Sequence, residues 1–336
     1  MPDPSAQRLL RLLDGGLSLP EGRLAALRPR AGVDLRALGA ARVHVVQGFR
    51  PDHDAFAAQG FETGVAPEGT YDAAVVFAPR AKDEARLWVA RAASLLPPGA
   101  PLVVDGAKTD GVDALLRECR ARAEVGGLVS KAHGKAFWMP NPGADAFAGW
   151  DAAGGGPEGF ATAPGAFSAG AVDRGSRLLA DALPDALPGR VADLGAGWGY
   201  LSARALAREG VEEMHLVEAE WDALEAARRN LPDPRARFHW ADATAFEPEA
   251  RFDHVLSNPP FHRGRDADPR LGQAFVAAAA RVVAPRGRFW CVANRHLPYE
   301  RAFKDAFAEH QEVAGDAAFK VILATRPLAP GRRRAA

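Results

Sequence analysis

Val191-Ala-Asp193-Leu-Gly195-Ala-Gly197-Trp-Gly199-Tyr-Leu201 leaves a strand-like run, crosses three glycines in five residues and opens a helical run. Glycines at such a turn let the backbone pass close to a ligand and leave the amides at a helix start available. A dinucleotide fingerprint, GxGxxG, needs its third glycine where Tyr200 stands; this loop reads GxGxG with Asp193 at the strand end, which argues against NAD. Strand-like and helical runs alternate outward from the loop. Arg190 to Leu194, Met214 to Glu218, Phe238 to Trp240, His254 to Ser257 and Phe289 to Ala293 read as strands; Tyr200 to Glu209, Asp222 to Arg229 and Gln273 to Val283 read as helices. That order predicts a mostly parallel sheet covered on both faces.

The N-terminal half repeats the plan in weaker form. Tyr71-Asp72-Ala-Ala-Val-Val-Phe77-Ala-Pro79-Arg80 aligns with Phe252-Asp253-His-Val-Leu-Ser-Asn258-Pro-Pro260-Phe261, and Pro97-Pro98-Gly99 further on meets Pro285-Arg286-Gly287. An internal duplication follows. The Gly-, Ala- and Pro-rich stretch from Asn141 to Ala171 reads as the connection, giving domains of residues 1–145 and 160–330. The strand Val43 to Val46 is taken as the counterpart of Arg190 to Leu194. It runs into Gln47-Gly-Phe with a single glycine, so the first copy is expected to lack the ligand loop.

Three further strand ends carry polar side chains. Glu218 closes the strand after the glycine loop, where a carboxylate accepts both hydroxyls of a ribose, and Asp242 follows the next strand, suited to accept from an adenine amino group. Ser257-Asn258-Pro259-Pro260-Phe261 closes the fourth. Its prolines fix φ and remove two backbone donors, so the Asn258 side-chain oxygen and the Pro259 carbonyl make it an acceptor loop suited to a ligand NH₂. A conjugated exocyclic amine is a poor nucleophile. Acceptors gripping its hydrogens orient the nitrogen towards an electrophile, and Phe261 is expected to stack on the ring.

The 336 residues carry 42 basic and 42 acidic side chains, which excludes a strongly basic coat; any nucleic acid must meet local clusters. Arg263, Arg265 and Arg270, and the tail Arg332-Arg333-Arg334, are candidates for phosphate contacts. Cys119 and Cys291 fit no CxxC or zinc spacing and read as reduced, buried thiols. The nine histidines form no HExxH pair, so no metal is expected, and there is no GxSxG elbow. Met1 to Pro20 reads as an amphipathic helix whose leucines are interrupted by Arg8, Arg11 and Asp14 before a secretory segment can form, and no run is long enough to span a membrane. A cytoplasmic, monomeric protein is expected.

These motifs together resemble the class I S-adenosylmethionine-dependent methyltransferases, and NPPF resembles the subset that methylates exocyclic or amide nitrogen. Ser257-Asn-Pro-Pro-Phe-His262, Val292-Ala-Asn294-Arg-His-Leu297-Pro298-Tyr299, Phe319-Lys320-Val321, Phe167-Ser168 and Asp173-Arg-Gly175-Ser176-Arg-Leu-Leu179 are similar to the bacterial 16S ribosomal RNA guanine-N2 methyltransferase family. The resemblance implies an α/β protein of two tandem Rossmann-like methyltransferase folds, the first degenerate. It implies S-adenosylmethionine as cofactor and ribosomal RNA or the small ribosomal subunit as partner. Asp193, Gly195 and Gly197 would line the methionine end, Glu218 the ribose and Asp242 the adenine, with Gly199 also counted among the cofactor-binding residues; Asn258, Pro259, Pro260 and Phe261 would hold the guanine. Adenine-N6 or glutamine-N5 methylation, and a non-catalytic ribosome-assembly factor keeping the fold, are the alternatives.

Overall fold

The computed structural model describes residues 3–151, 155–166, 168, 170–260, 262–263, 266–267, 269–297 and 299–329. The chain divides between Gly154 and Gly155 into two compact units. The first contains α1 (Pro4–Asp14), β1 (Leu24–Leu27), β2 (Val43–Val46), α2 (Arg50–Ala58), β3 (Glu62–Gly64), β4 (Ala73–Phe77), α3 (Lys82–Leu95), β5 (Pro101–Ala107), α4 (Val112–Arg120), β6 (Gly127–Lys131) and β7 (Gly134–Pro140). The second contains α5 (Arg174–Ala182), β8 (Ala186–Leu194), α6 (Tyr200–Leu206), β9 (Glu209–Glu218), α7 (Trp221–Asn230), β10 (Ala236–Trp240), β11 (Phe252–Ser257), a short β12–β13 pair (His262–Arg263 with Asp266–Ala267), α8 (Pro269–Val282), β14 (Val283–Asn294), α9 (Glu300–Ala306), β15 (Phe307–Gly315) and β16 (Phe319–Pro327).

The seven-stranded sheets have one topology. The first runs β3-β2-β1-β4-β5-β7-β6 and the second β10-β9-β8-β11-β14-β16-β15. In each, five parallel strands end in an antiparallel hairpin. Parallel sheets are covered on both faces, so central strands lose the alternation of apolar and polar residues; β1 and β4 are buried at every position. In the second unit successive residues of β8 serve two cores. Val191 packs with α5, α6 and α7, and Ala192 with α8 and α9. The helix expected near the N-terminus is α1, which buries Leu9 and Leu12 and is held by Arg8, whose guanidinium grips the buried Asp105 at 2.6 and 2.8 Å.

Where the parallel strands begin, the two units share a latch. The Arg23 amide donates to Asp72 Oδ2 at 2.8 Å, and the Arg190 amide to Asp253 Oδ2 at 2.9 Å. Each guanidinium lies over the aromatic ring preceding that aspartate, Tyr71 at 5.0 Å and Phe252 at 5.2 Å. His44 and His215 meet the same two rings. The pairing register makes these positions equivalent, since Ala25 pairs with His44 as Ala192 pairs with His215. The duplication is therefore visible in side-chain contacts as well as in strand order.

The register corrects one expectation. The counterpart of β8 is β1, not the Val43–Val46 strand, which is β2 and corresponds to β9. Leu24-Ala-Ala-Leu27 is short and buried at each position, so it has no alternation for a period-based reading to detect. The connection is also narrower than the expected Asn141 to Ala171. Asn141 caps the carbonyls of Ala93 and Leu96, Phe147 and Trp150 lie in the first core, and Phe160 packs on Trp198 in the second. Apolar anchors separated by glycines hide in a composition-based reading.

The latch yields a test. Gly189 has φ +91° and its missing Cβ would stand 2.2 Å from Asp253 Oδ2. Gly189→Ala should lower stability by about 1–3 kcal/mol through backbone strain and displacement of that carboxylate. Urea unfolding followed by fluorescence checks it; an unshifted midpoint would contradict the latch.

Candidate active site

The pairing of β8 fixes the rim. Leu194 pairs with Val217 of β9, Asp193 with Leu256 of β11, and Glu218 with Trp240 of β10, so four adjacent strands end side by side. Asp193, Gly195, Gly197, Gly199, Glu218, Asp242, Asn258, Pro259 and Pro260 all lie at this edge, at or just past the strand ends. Phe261 lies outside the described residues, as do Arg265, Arg332, Arg333, Arg334 and Phe167, and of Arg263 only the backbone is described.

The three glycines need left-handed backbone, with φ of +78°, +56° and +91° at Gly195, Gly197 and Gly199. Two also allow close packing. A Cβ on Gly195 would stand 3.1 Å from the Phe275 ring and one on Gly199 2.6 Å from Leu231 Cδ1. At Gly197 a Cβ would meet nothing within 4 Å, so there the glycine leaves open space. Trp198 points away, into a cluster with Phe160 at 5.0 Å and Tyr200 at 5.8 Å. Asn230 ties the loop down from below, donating to the carbonyls of Trp198 and Ala161, both at 2.8 Å.

Two carboxylates organise the loop. The Ser202 hydroxyl donates to Asp193 Oδ2 at 2.8 Å, while Oδ1 is buried and has no hydrogen-bond partner among the described residues. Burial pushes the Asp193 carboxyl up to about 7; the Ser202 hydrogen bond opposes that and the Glu218 charge adds to it. Glu218 accepts from the Gly197 amide at 2.7 Å on Oε2 and from the Glu220 amide at 2.8 Å on Oε1. Burial raises its pKa, and those amides pull it back. It therefore shapes the glycine loop while each oxygen keeps a second lone pair for a ligand. Asp242 Oδ1 accepts from both the amide and the hydroxyl of Thr244, at 2.8 and 2.7 Å.

At the end of β11 the Ser257 hydroxyl donates to the Leu194 carbonyl at 2.8 Å, tying the two loops together. Asn258 Nδ2 donates to Asp173 Oδ2 and Ser176 Oγ, each at 2.8 Å, and its Oδ1 is buried without a hydrogen-bond partner among the described residues. Buried orphan acceptors are uncommon and call for a ligand donor. The sequence reading gave no chemical role to Ser202, Asn230, Asp173 or Ser176. The signal for the last two is an N-cap aspartate three residues before a serine, which reads as helix capping alone.

The first unit has filled the same place. Arg28, at φ +60°, stands where Gly195 does, Gln47 where Glu218 does and Phe77 where Asn258 does. Arg28 donates to Gln47 Oε1 at 2.9 Å and lies 3.0 Å from Glu84 Oε1.

The donor set fits S-adenosylmethionine. The orphan Asp193 oxygen suits an ammonium, Gly197 leaves room beside it, and Glu218 and Asp242 offer acceptors on successive strands to hydroxyls and an amine. Among the described residues no group of three or more His, Cys, Asp or Glu side chains is arranged to hold a metal ion, and no helix is long and apolar enough to cross a membrane.

Comparison with known proteins gives the same frame. The family model "Methyltransferase small domain" matches residues 158–323, and "Methyltransferase small domain N-terminal" matches residues 40–133. The ribosomal RNA small subunit methyltransferase C of Yersinia enterocolitica is 29% identical over 76% of this chain and 74% of its own. The solved T. thermophilus 16S rRNA N2 methyltransferase (RsmC), in complex with AdoMet and guanosine, superposes with a TM-score of 0.80 at 28% identity, covering 96% of this chain and 92% of that one. With 31% identity to the Klebsiella pneumoniae protein of that name over 74% of each chain, and with both of its units matched, the chain belongs to the family of ribosomal RNA small subunit methyltransferase C.

Proposed function

We propose that this protein is an S-adenosylmethionine-dependent methyltransferase acting on the N2 amine of a guanine in small-subunit ribosomal RNA. The observation that carries this reading is the buried Oδ1 of Asn258, without a partner among the described residues, at the strand end next to the glycine loop. The cofactor supplies an activated methyl group on a sulfonium. Asp193, Gly195 and Gly197 hold its amino-acid end, Glu218 its ribose and Asp242 its adenine, with Gly199 completing the cofactor-binding loop.

Asn258 accepts a hydrogen from the guanine amine and turns the nitrogen towards the methyl, with Pro259 and Pro260 keeping the loop free of competing donors. As the amine takes up its new bond its hydrogens become more acidic, so the contact to Oδ1 strengthens towards the transition state and the interaction lowers the barrier rather than binding substrate alone. Phe261, which lies outside the described residues, keeps the base-stacking role expected of it from the sequence. Residues 160–330 form the catalytic domain. Residues 1–145 form a degenerate copy that takes no cofactor, its cleft occupied by Arg28. The enzyme acts as a monomer in the cytoplasm, without a metal. Adenine N6 or glutamine N5 would suit the same acceptor loop, but neither is the group named for the structural relative.

Asn258→Ala should lower turnover about 10²- to 10³-fold with little change in cofactor affinity; near-normal methyl transfer to 16S rRNA would refute the assignment. Glu218→Ala should weaken cofactor binding about 10- to 100-fold, since a charged acceptor is lost and the loop loosens. Calorimetry measures this, and the wild-type titration should give one cofactor per chain; two would mean that the first unit also binds. For Asp193 the folded pKa lies above the unfolded one, so between about pH 4 and 7 the native state keeps a proton the unfolded chain has released. Stability then falls with rising pH by about 1.4 kcal/mol per unit. His239 and His254, lowered by burial to about 4, act in the opposite sense and cancel in a comparison of variants. Without cofactor, Asp193→Asn should gain on wild type in melting temperature as pH rises from 4.5 to 7; a pH-independent gap would count against a neutral buried Asp193.

A further inference from the structure

Asn258 has both amide hydrogens engaged. One goes to Asp173 Oδ2 and one to Ser176 Oγ, each at 2.8 Å, leaving Oδ1 without a partner among the described residues. A primary amide is nearly symmetric in shape, so packing alone does not distinguish its oxygen from its nitrogen. Asp173 does. An ionised carboxylate only accepts, so Nδ2 facing it makes a charge-assisted bond, whereas Oδ1 facing it would set two acceptors against each other.

Asp173 is itself held. It is the N-cap of α5, where Oδ2 accepts from the Ser176 amide at 2.8 Å. Gly175 makes room for it, since a Cβ there would stand 3.0 Å from Asp173 Oδ2 and 3.2 Å from the Phe319 ring. The helix start thus presents one fixed carboxylate oxygen and one hydroxyl to the amide, and Ser176 is 9% exposed.

We infer that Asp173 and Ser176 are positioning residues: by saturating Nδ2 they fix Asn258 with its oxygen as the free acceptor and so select substrates presenting an amine donor over those presenting a carbonyl or other acceptor. This deepens the proposed function and rests on Asn258 being the group that meets the amine. A purely structural role predicts something different. Serine caps helices about as well as aspartate, so Asp173→Ser would then be silent, and Ser176→Ala alters no cap because only the Ser176 backbone amide takes part in capping.

The test is a double-mutant cycle on the full chain, with methyl transfer to 16S rRNA as readout. Asp173→Ser and Ser176→Ala should each lower kcat about 10- to 100-fold through misorientation of the amide. The cofactor dissociation constant and the melting temperature should stay near wild type, and Ser176→Thr, which keeps the hydroxyl, should restore turnover. In the Asn258→Ala background neither substitution should cost anything more, because both act through the amide. Wild-type kcat in both variants, or an equal further loss in that background, overturns the positioning role while leaving the Asn258 assignment standing. Near-normal turnover of Asn258→Ala alone overturns both. Should Asp173→Ser not fold, Ser176→Ala carries the same comparison.

Discussion

Everything at the rim depends on the parallel pairing of β8 with β9 on one side and β11 on the other. Leu194 against Val217 and Asp193 against Leu256 bring three strand ends level, and the chain then has no choice about where the next residues go. The glycine loop bends over the end of β9, its Gly195 and Ala196 amides both donating to the Val217 carbonyl at 2.9 and 3.2 Å. Glu218 then reaches back to the Gly197 amide, and Ser257 reaches across to Leu194. Backbone register places the acceptors, and side chains only refine them. This is how an open α/β sheet gathers ligand groups from distant parts of a sequence at its carboxyl edge.

The two units make an internal comparison of what such a sheet must keep and what it can lose. At the edge where the strands begin, arginine, histidine, aromatic and aspartate recur with the same hydrogen bond. At the opposite edge Gly195, Glu218 and Asn258 are matched by Arg28, Gln47 and Phe77. The first edge serves folding in both copies. The second differs between the copies, and in the first unit a hydrogen bond and an ion pair of Arg28 occupy it.

Much of this was legible in the chain itself. The glycine loop, the polar strand ends and the aromatic-Asp repeat are local patterns, and each sits on the element expected of it. What was not legible depends on pairing. Strand β1 carries no alternation because both its faces are covered, so its equivalence to β8 emerges only from register. The bond from Asp173 to Asn258 joins residues 85 positions apart and leaves no trace in spacing. The position of Glu218 marks it as a ligand acceptor, yet its two oxygens also hold loop amides, a role that no strand-end carboxylate advertises. Helix α6 ends at Leu206, short of the expected Glu209, because Glu209 already begins β9, its amide donating to the Asp185 carbonyl.

Arg28 makes the filled strand end of the first unit hard to reopen. Its guanidinium and the Glu84 carboxylate are only 11% and 14% exposed and neutralise each other. A glycine at position 28 would take that charge away from Glu84 in a poorly hydrated place, a penalty of about 3–5 kcal/mol when such a pair is broken on one side. Several substitutions would have to arrive together before an opened cleft gave any advantage. The ion pair therefore acts as a bolt across the end of β1: a glycine at position 28 would cost stability before it opened any cleft.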